Sequence, residues 1–210
     1  MDRKDYIASI YEAADRYGEC LLNKNLLFVY LEKPNKIGIM ETAFRDYNFM
    51  HLTGVTFASE KKMSATKFYQ DSIERRLKQK ALLFRTDGTT EQKLTILPTM
   101  INAYLSAKML GDYSGGRMSL LTERLAGGIR GSIGFVYDRN YYYPNTVLKG
   151  DIRDSIDRPR RVLAVFRKDI SSKKYEECTY VAKNVDLSKL KIPEPYSYLS
   201  GEVEPGKKNE

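Results

Sequence analysis

The sequence predicts an α+β domain, a mostly antiparallel sheet with helices packed on one side. Three observations carry that expectation. The periodic segments run helix, strands, two helices, then a run of strands, so helices and strands are largely segregated along the chain. The hydrophobic period shifts from helical to alternating beyond Arg117. Finally, 42% of the 210 residues are hydrophobic, enough for a buried core. No apolar run approaches the roughly 18 residues of a membrane span.

In order, Tyr6, Ile10, Ala13, Tyr17 and Leu21 recur at helical spacing over residues 3–22, with Asp2 to cap the start. Asn23-Lys24-Asn25 breaks the pattern. Leu26 to Leu31 is a dense apolar strand, Pro34-Asn35-Lys36 a turn, and Ile37 to Phe44 its hairpin partner. Asp46-Tyr47-Asn48 reads as a second turn, leading into Phe49 to Val55 as a short strand that stops at Gly54. Ser64 caps a helix whose face is Ala65, Phe68, Tyr69, Ile73 and Leu77, ending near Lys80, with Lys67, Arg75, Arg76 and Lys78 opposite. After an Arg85–Gly88 loop, Thr89 and Gln92 have capping-box spacing. Leu94, Leu97, Ile101, Tyr104 and Leu105 continue as a stripe that Pro98 should kink or split and Gly111 should end. Ile129, Gly131, Ile133, Phe135 and Tyr137 then alternate as a half-buried strand, and Asp138-Arg139-Asn140 turns the chain into Tyr141-Tyr142-Tyr143. Val162 to Phe166 reads as a central strand paired, through a Ser171–Lys174 turn, with Tyr175 to Ala182. With no repeat and no linker, residues 1–186 are one domain. Residues 187–210 are expected to be an extended, poorly ordered tail, from about Pro193.

Lys and Arg number 35 against 27 Asp and Glu, a net charge of +8, and most of that excess lies between Arg117 and Lys183. Such a balance favours polyanionic partners, although a soluble protein with a basic surface has it too. The charged N-terminus lacks the apolar core of a secretory signal, so a cytoplasmic protein is expected, with no membrane partner. Cys20 and Cys178 are far apart and fit reduced, buried thiols.

One histidine and two distant cysteines cannot build a zinc site, and neither a Walker loop nor a dinucleotide fingerprint is present, so no metal and no cofactor is expected. Gly127-Gly128-Ile129-Arg130-Gly131 is glycine-rich but reads as a bulge or a close strand contact. The residues also fit a metal-independent RNA cleavage. The 2′-hydroxyl attacks the neighbouring phosphate, and the protein supplies a general acid/base and cations. His51, the only histidine, suits the first role; Lys149, Arg153 and Arg130 suit the second. Thr53 or Thr179 can donate to a phosphate oxygen, while Tyr143 and Asn145 can stack on and read a base. Each also has a plain reading: a satisfied core histidine, a turn-closing threonine, tyrosines packed in a sheet, a solvated charged loop over residues 149–154.

Taken together, Phe49-Met50-His51-Leu52-Thr53-Gly54, the helix from Ser64 to Leu77, Thr122 to Gly127, Tyr142 to Lys149 and Asp151-Ile152-Arg153 resemble one family over roughly residues 5–183. It is the phage and mobile-element group of Barnase–EndoU–colicin–RelE-like nuclease domains, subtype four. The resemblance implies a small α+β fold and a metal-independent ribonuclease of bacteria or their phages, a toxin or defence effector. Its implied partners are RNA, tRNA included, and a neutralising protein. By position, His51 matches the family histidine, and Thr53, Asn145, Lys149 and Arg153 match its recurring polar positions. Two other readings stay open. In an ADP-ribosyltransferase-like enzyme, His51-Leu52-Thr53 on a strand would grip the nicotinamide ribose of NAD, with Glu123 or Glu177 as the late glutamate. A non-enzymatic, phage-encoded inhibitor would use the basic face to bind nucleic acid or protein.

Overall fold

The first apolar stripe is buried as its spacing predicts: Ile10, Ala13, Ala14, Tyr17 and Leu21 are all inaccessible to solvent. They belong to or directly follow helix α1 (Arg3–Cys20). The computed structural model describes residues 3–34, 36–57, 63–102, 107–115 and 121–201. Strands β1 (Lys24–Lys33) and β2 (Lys36–Ala43) form the predicted hairpin, from Leu31↔Ile37 to Asn25↔Ala43. Later come β5 (Met109–Tyr113), β6 (Arg124–Gly127), β7 (Gly131–Asp138), β8 (Tyr141–Lys149), β9 (Ile156–Asp169) and β10 (Glu177–Val181). The short strands β3 (Thr56–Phe57) and β4 (Leu82–Leu83) pair only with each other.

The eight longer strands make one sheet in the order β1-β2-β8-β7-β6-β5-β9-β10. Because β1 also pairs with β9, the pairings run round from β1 back to β1, with β10 added outside. Every pairing is antiparallel except the β2–β8 contact at Thr42↔Tyr142. Helices α2 (Asp46–Thr53), α3 (Ala65–Ile73) and α4 (Thr89–Ile101) join α1 on one face of the sheet. The main core there combines Tyr17, Phe49, Phe68 and Leu97 from the helices with Phe28, Leu110, Ala126, Phe135, Val147 and Val162 from the strands. This is the α+β architecture that the order of segments predicts. None of the helices is long and apolar enough to cross a membrane.

The local differences have physical reasons. Residues 49–53 are helical, not a strand. The Arg45 N–H donates to Asn48 Oδ1 at 2.9 Å, which starts α2, and Gly54 ends it at φ 71°, the left-handed region where a residue without Cβ is unstrained. Phe49 and Leu52, three apart, are the buried helical face of a segment too short for period alone to classify. Ser64 does cap α3, accepting from Lys67 N at 3.2 Å. That helix stops at Ile73, short of Lys80, because Arg75 turns to φ 58° and its guanidinium takes the Ser72 carbonyl at 3.0 Å. Its basic face is largely neutralised: Lys67 pairs with Asp71, Arg75 with Asp15 and Arg76 with Glu74.

Thr89 is the first residue of α4 rather than its cap. The Asp87 side chain takes the Thr89 N–H at 2.9 Å, and Gly88 precedes the helix at φ 77°. The helix continues through Pro98 to Ile101 without splitting. Tyr104 and Leu105 lie outside the described residues. Gly111 sits in β5 rather than ending a helix, and the wall of Ile156 leaves no room for a Cβ there.

The chain over residues 187–201 is packed, not extended. Ile192 and Leu199 are buried against Leu27, Val29, Ala164 and Phe166 on the far face of the sheet. Glu41 on β2 accepts from Tyr175 Oη at 2.5 Å and from Tyr196 Oη at 2.7 Å, and Tyr198 Oη accepts from Tyr175 N at 2.8 Å. Alternating strand residues need cover on both faces of a sheet, and this segment supplies the second cover. Both cysteines are free; burial pushes the Cys178 thiol up to about 11.

Candidate active site

The α2 face that buries Phe49, Leu52 and Thr53 turns His51 outward, and the residue is exposed. The end of α2 is stitched to the start of α4. Lys93 Nζ lies 3.4 Å from the His51 carbonyl oxygen, and Thr90 Oγ1 donates to the Gly54 carbonyl at 3.0 Å. Partial burial of the ring, aided by the Lys93 charge, lowers the His51 pKa below its usual 6.5. Burial, aided by Arg85, brings the Lys93 ammonium down to about 8. A neutral imidazole therefore stands beside a lysine at neutral pH.

Thr53 serves the fold. Its buried hydroxyl donates to the Met50 carbonyl at 2.7 Å and accepts from Val55 N at 3.2 Å, closing the helix. Replacing Thr53 by Val strands both partners and should cost about 1–3 kcal/mol in a urea titration. Lost cleavage at unchanged stability would instead mark Thr53 as a substrate ligand. Thr179 Oγ1 donates to the Val165 carbonyl at 3.0 Å. Asn145 is the extra residue at the β7–β8 register shift; it accepts from Thr122 Oγ1 at 3.1 Å and donates to the Leu121 carbonyl. Tyr143 faces Tyr47 of α2, with ring centroids 6.5 Å apart.

The backbone segments that carry three expected cations are neighbours. Lys149 pairs with Gly131 across β7–β8, Gly150 N donates to the Arg130 carbonyl at 3.1 Å, and Ile152 N, next to Arg153, donates to the Gly128 carbonyl at 3.1 Å. Arg130 and Lys149 are exposed, whereas Arg153 is clasped by Asp151 at 2.5–3.1 Å. Their end of the sheet abuts the C-terminal half of α4, where Ile96 and Met100 lie over Gly131, within 3.2 Å of where a Cβ on it would fall. His51 abuts Lys93, three residues before Ile96 and seven before Met100, so about 5–10 Å along α4 lies between the two places at 1.5 Å per residue. The NAD reading needs His51 and Thr53 on a strand; they are helical, and Glu177 is held by Arg167 at 2.8 Å.

A further cluster lies on the helix-bearing face of the sheet. Residues two apart on a strand share a face. Beyond the apolar positions Phe28, Leu110, Ala126 and Val162, the same rows continue as Tyr30 and Glu32, Asp112, Arg124 and Arg160. Asp112 Oδ1 accepts from Arg124 Nε at 3.1 Å and its Oδ2 from Arg160 Nη2 at 3.0 Å. Arg160 Nε is 3.3 Å from Glu32 Oε1, and Arg124 Nη1 is 3.5 Å from Tyr30 Oη. The Arg124 guanidinium also lies 5.1 Å over the Tyr142 ring. Burial pushes the Asp112 carboxyl up, but the Arg160 and Arg124 guanidiniums outweigh it and hold the group below the usual carboxylate range. Arg160 Nη1 is buried with no partner among the described residues, and a cavity of about 480 Å³ is lined by Asp112, Asp157, Arg158 and Arg160. The β5–β9 register shift at Leu110/Asp112, opposite Arg158-Pro159, re-aims these side chains. Pro159 just ahead of the apolar run 162–166 was the sequence signal for that bulge. Among the described residues, no group of three or more His, Cys, Asp or Glu is placed to hold a metal ion.

The sheet thus carries two forked guanidiniums, two carboxylates and two phenols at an open rim, groups with the geometry to bind a phosphate. Residues 9–184 match the family model described as phage-Barnase-EndoU-ColicinE5/D-RelE like nuclease4, and the chain belongs to that nuclease family. No curated protein and no solved structure matches the chain significantly.

Proposed function

We propose that this nuclease cleaves RNA, using its own side chains at the rim cluster. The observation that carries the reading is Asp112 clasped between Arg124 and Arg160 beside an open cavity of about 480 Å³. A phosphate entering there meets Arg160, which lines the cavity, with Arg124 on the other side of Asp112, two planar guanidiniums that can take charge developing on phosphorane oxygens. The 2′-oxygen bonds to phosphorus and the bond to the 5′-oxygen breaks, leaving a 2′,3′-cyclic phosphate and a 5′-hydroxyl. Glu32 takes the 2′-hydroxyl proton; Asp112, held ionised, fixes the guanidiniums. Burial raises the Tyr142 phenol against the lowering effect of Arg124, so it stays protonated and supplies the proton to the 5′-oxygen. It is restored through solvent.

The test is a labelled oligoribonucleotide, its DNA counterpart and an RNA carrying a single 2′-deoxy at the cut site, each with and without EDTA. Cyclic-phosphate products from the RNA alone, indifferent to EDTA, are expected. Cleavage of the DNA, or activity that EDTA abolishes, overturns the reading. RNA cleavage in a bacterial cytoplasm would make the protein a toxin or defence effector that needs a neutralising protein partner. Expression of the full chain should then arrest growth.

The neutral imidazole beside Lys93 favours a second reading, in which His51 is the general base on α2 and the lysine is its cation. The required forms are neutral His51 and charged Lys93. The rate would then rise with pH through a value below 6.5 and fall beyond about 8. In the rim reading, His51→Ala leaves the profile unchanged. Loss of the acid limb in that variant would move the chemistry to α2.

A further inference from the structure

We propose that the glycine-rich turn between β6 and β7 forms a pocket for a nucleobase carrying a phosphate, separate from the rim cluster. The cavity there is about 490 Å³, within the range of small-ligand sites. Its walls are Met100 at the end of α4, Met109 at the start of β5 and Ile129 on the turn, with Arg130, Gly131 and Lys108 completing it. Ile129 is 67% exposed, although the residues on either side of it are a glycine and an arginine. Single exposed apolar residues are ordinary. Here, however, the exposed side chain is one wall of a cavity faced by two thioethers, soft and polarizable groups that pack well on aromatic rings.

The glycines of this turn have different tasks. A Cβ on Gly127 would fall 2.3 Å from the Gly131 carbonyl oxygen and 2.6 Å from Ser132 Cα, so Gly127 is demanded by the close strand contact. A Cβ on Gly131 would fall 2.9 Å from the Leu148 carbonyl oxygen, 3.1 Å from Ile96 Cδ1 and 3.2 Å from Met100 Sδ, so only bare backbone fits where the pocket meets α4. A flat floor with apolar walls accepts a planar ring. The charges at the mouth select an anionic one: exposed Arg130 on the turn and exposed Lys149 paired opposite Gly131. A ring joined to a phosphate, with the base among Met100, Met109 and Ile129 and the phosphate toward Arg130 and Lys149, satisfies both requirements.

The pocket and the rim lie at opposite ends of the β5–β6 hairpin. Met109 pairs with Gly127 at one end and Asp112 with Arg124 at the other, with buried Leu110 and Ala126 between. A ligand in the pocket is therefore read apart from the rim. Binding of an oligonucleotide here rests on the RNA reading above; binding of a mononucleotide does not.

The experiment titrates the full chain with each of the four ribonucleoside monophosphates, with inorganic phosphate and with an uncleavable 2′-deoxy-substituted oligoribonucleotide, by calorimetry. Ile129→Glu changes an exposed side chain and leaves the core intact, and Arg160→Lys reports on the rim. Expected is mononucleotide binding that weakens at least tenfold in Ile129→Glu, stays within twofold in Arg160→Lys, and exceeds phosphate binding at least tenfold. If only the oligonucleotide binds, and Ile129→Glu weakens it at least tenfold, the base reaches the pocket only as part of RNA. The proposal is overturned by three outcomes: no binding of either ligand, phosphate binding as tight as the nucleotide, or binding that Arg160→Lys abolishes and Ile129→Glu spares.

Discussion

Arg160→Lys should lower the rate of RNA cleavage by about a hundredfold or more while leaving a folded protein. Arg160 spans two carboxylates at once, Nη2 on Asp112 at 3.0 Å and Nε near Glu32 at 3.3 Å, from a side chain only 14% exposed. Lysine keeps the positive charge, so neither carboxylate is left facing an uncharged gap. It has one compact ammonium in place of a planar fork and cannot hold both acids while presenting a further donor to phosphate. Arg160→Leu would be a poorer test, because it leaves Glu32 and Asp112 facing an uncharged gap and so destabilises the rim in its own right. The measurement is kcat/KM on a labelled oligoribonucleotide alongside the circular dichroism spectrum. A variant that is folded and cleaves like the parent removes the rim from the chemistry. If His51→Ala is then inactive, the α2 reading takes its place.

Deleting everything after Asp186 should have the largest effect on stability. The segment contributes Ile192 and Leu199, at 5% and 0% exposure, to a cluster with Leu27, Val29, Ala164, Phe166, Tyr175 and Cys178. Each fully buried aliphatic side chain is worth about 1.5–3 kcal/mol. The two phenol groups, on Tyr196 and Tyr198, each add a hydrogen bond of about 1 kcal/mol. Together these amount to about 5–8 kcal/mol, comparable to the whole stability of many domains. The truncated chain is therefore expected to melt at least 10 °C lower, or not to fold at all, by circular dichroism. A truncated chain melting within a few degrees of the parent would show that residues 187–201 only rest on the sheet.

The parts of this fold legible in the sequence share one property: a pattern longer than its ambiguity. The α1 stripe spans five turns, the β1–β2 hairpin has its turn residues, and Ser64 announces α3. Phe49 to Thr53 failed for the opposite reason. Seven residues around Gly54 satisfy a strand and a helix about equally well, and the local Arg45 N–H bond to Asn48 Oδ1 that starts the helix lies upstream of them, in residues that read as a turn. Thr53, Asn145 and Thr179 have side chains that look free for a ligand, and each proved to be spent on a backbone or neighbouring group. The prolines and polar residues after Asp186 suggest a loose tail because proline punctuation says nothing about what lies beneath. Here the outer face of β1 and β9 lies beneath.

By itself, the sequence determined the class of fold, the family to which the chain belongs and the charge it carries, since these depend on composition, order and periodicity summed over many residues. Only the tertiary structure decided which charged groups meet. Glu32, Asp112, Arg124 and Arg160 come from four strands scattered along most of the chain, and nothing local distinguishes them from other surface charges. Sheet pairing, which links residues by register rather than by sequence distance, brings them to one rim. Coulomb attraction and hydrogen bonding act over a few ångströms, so the chemistry of this molecule is set by that register.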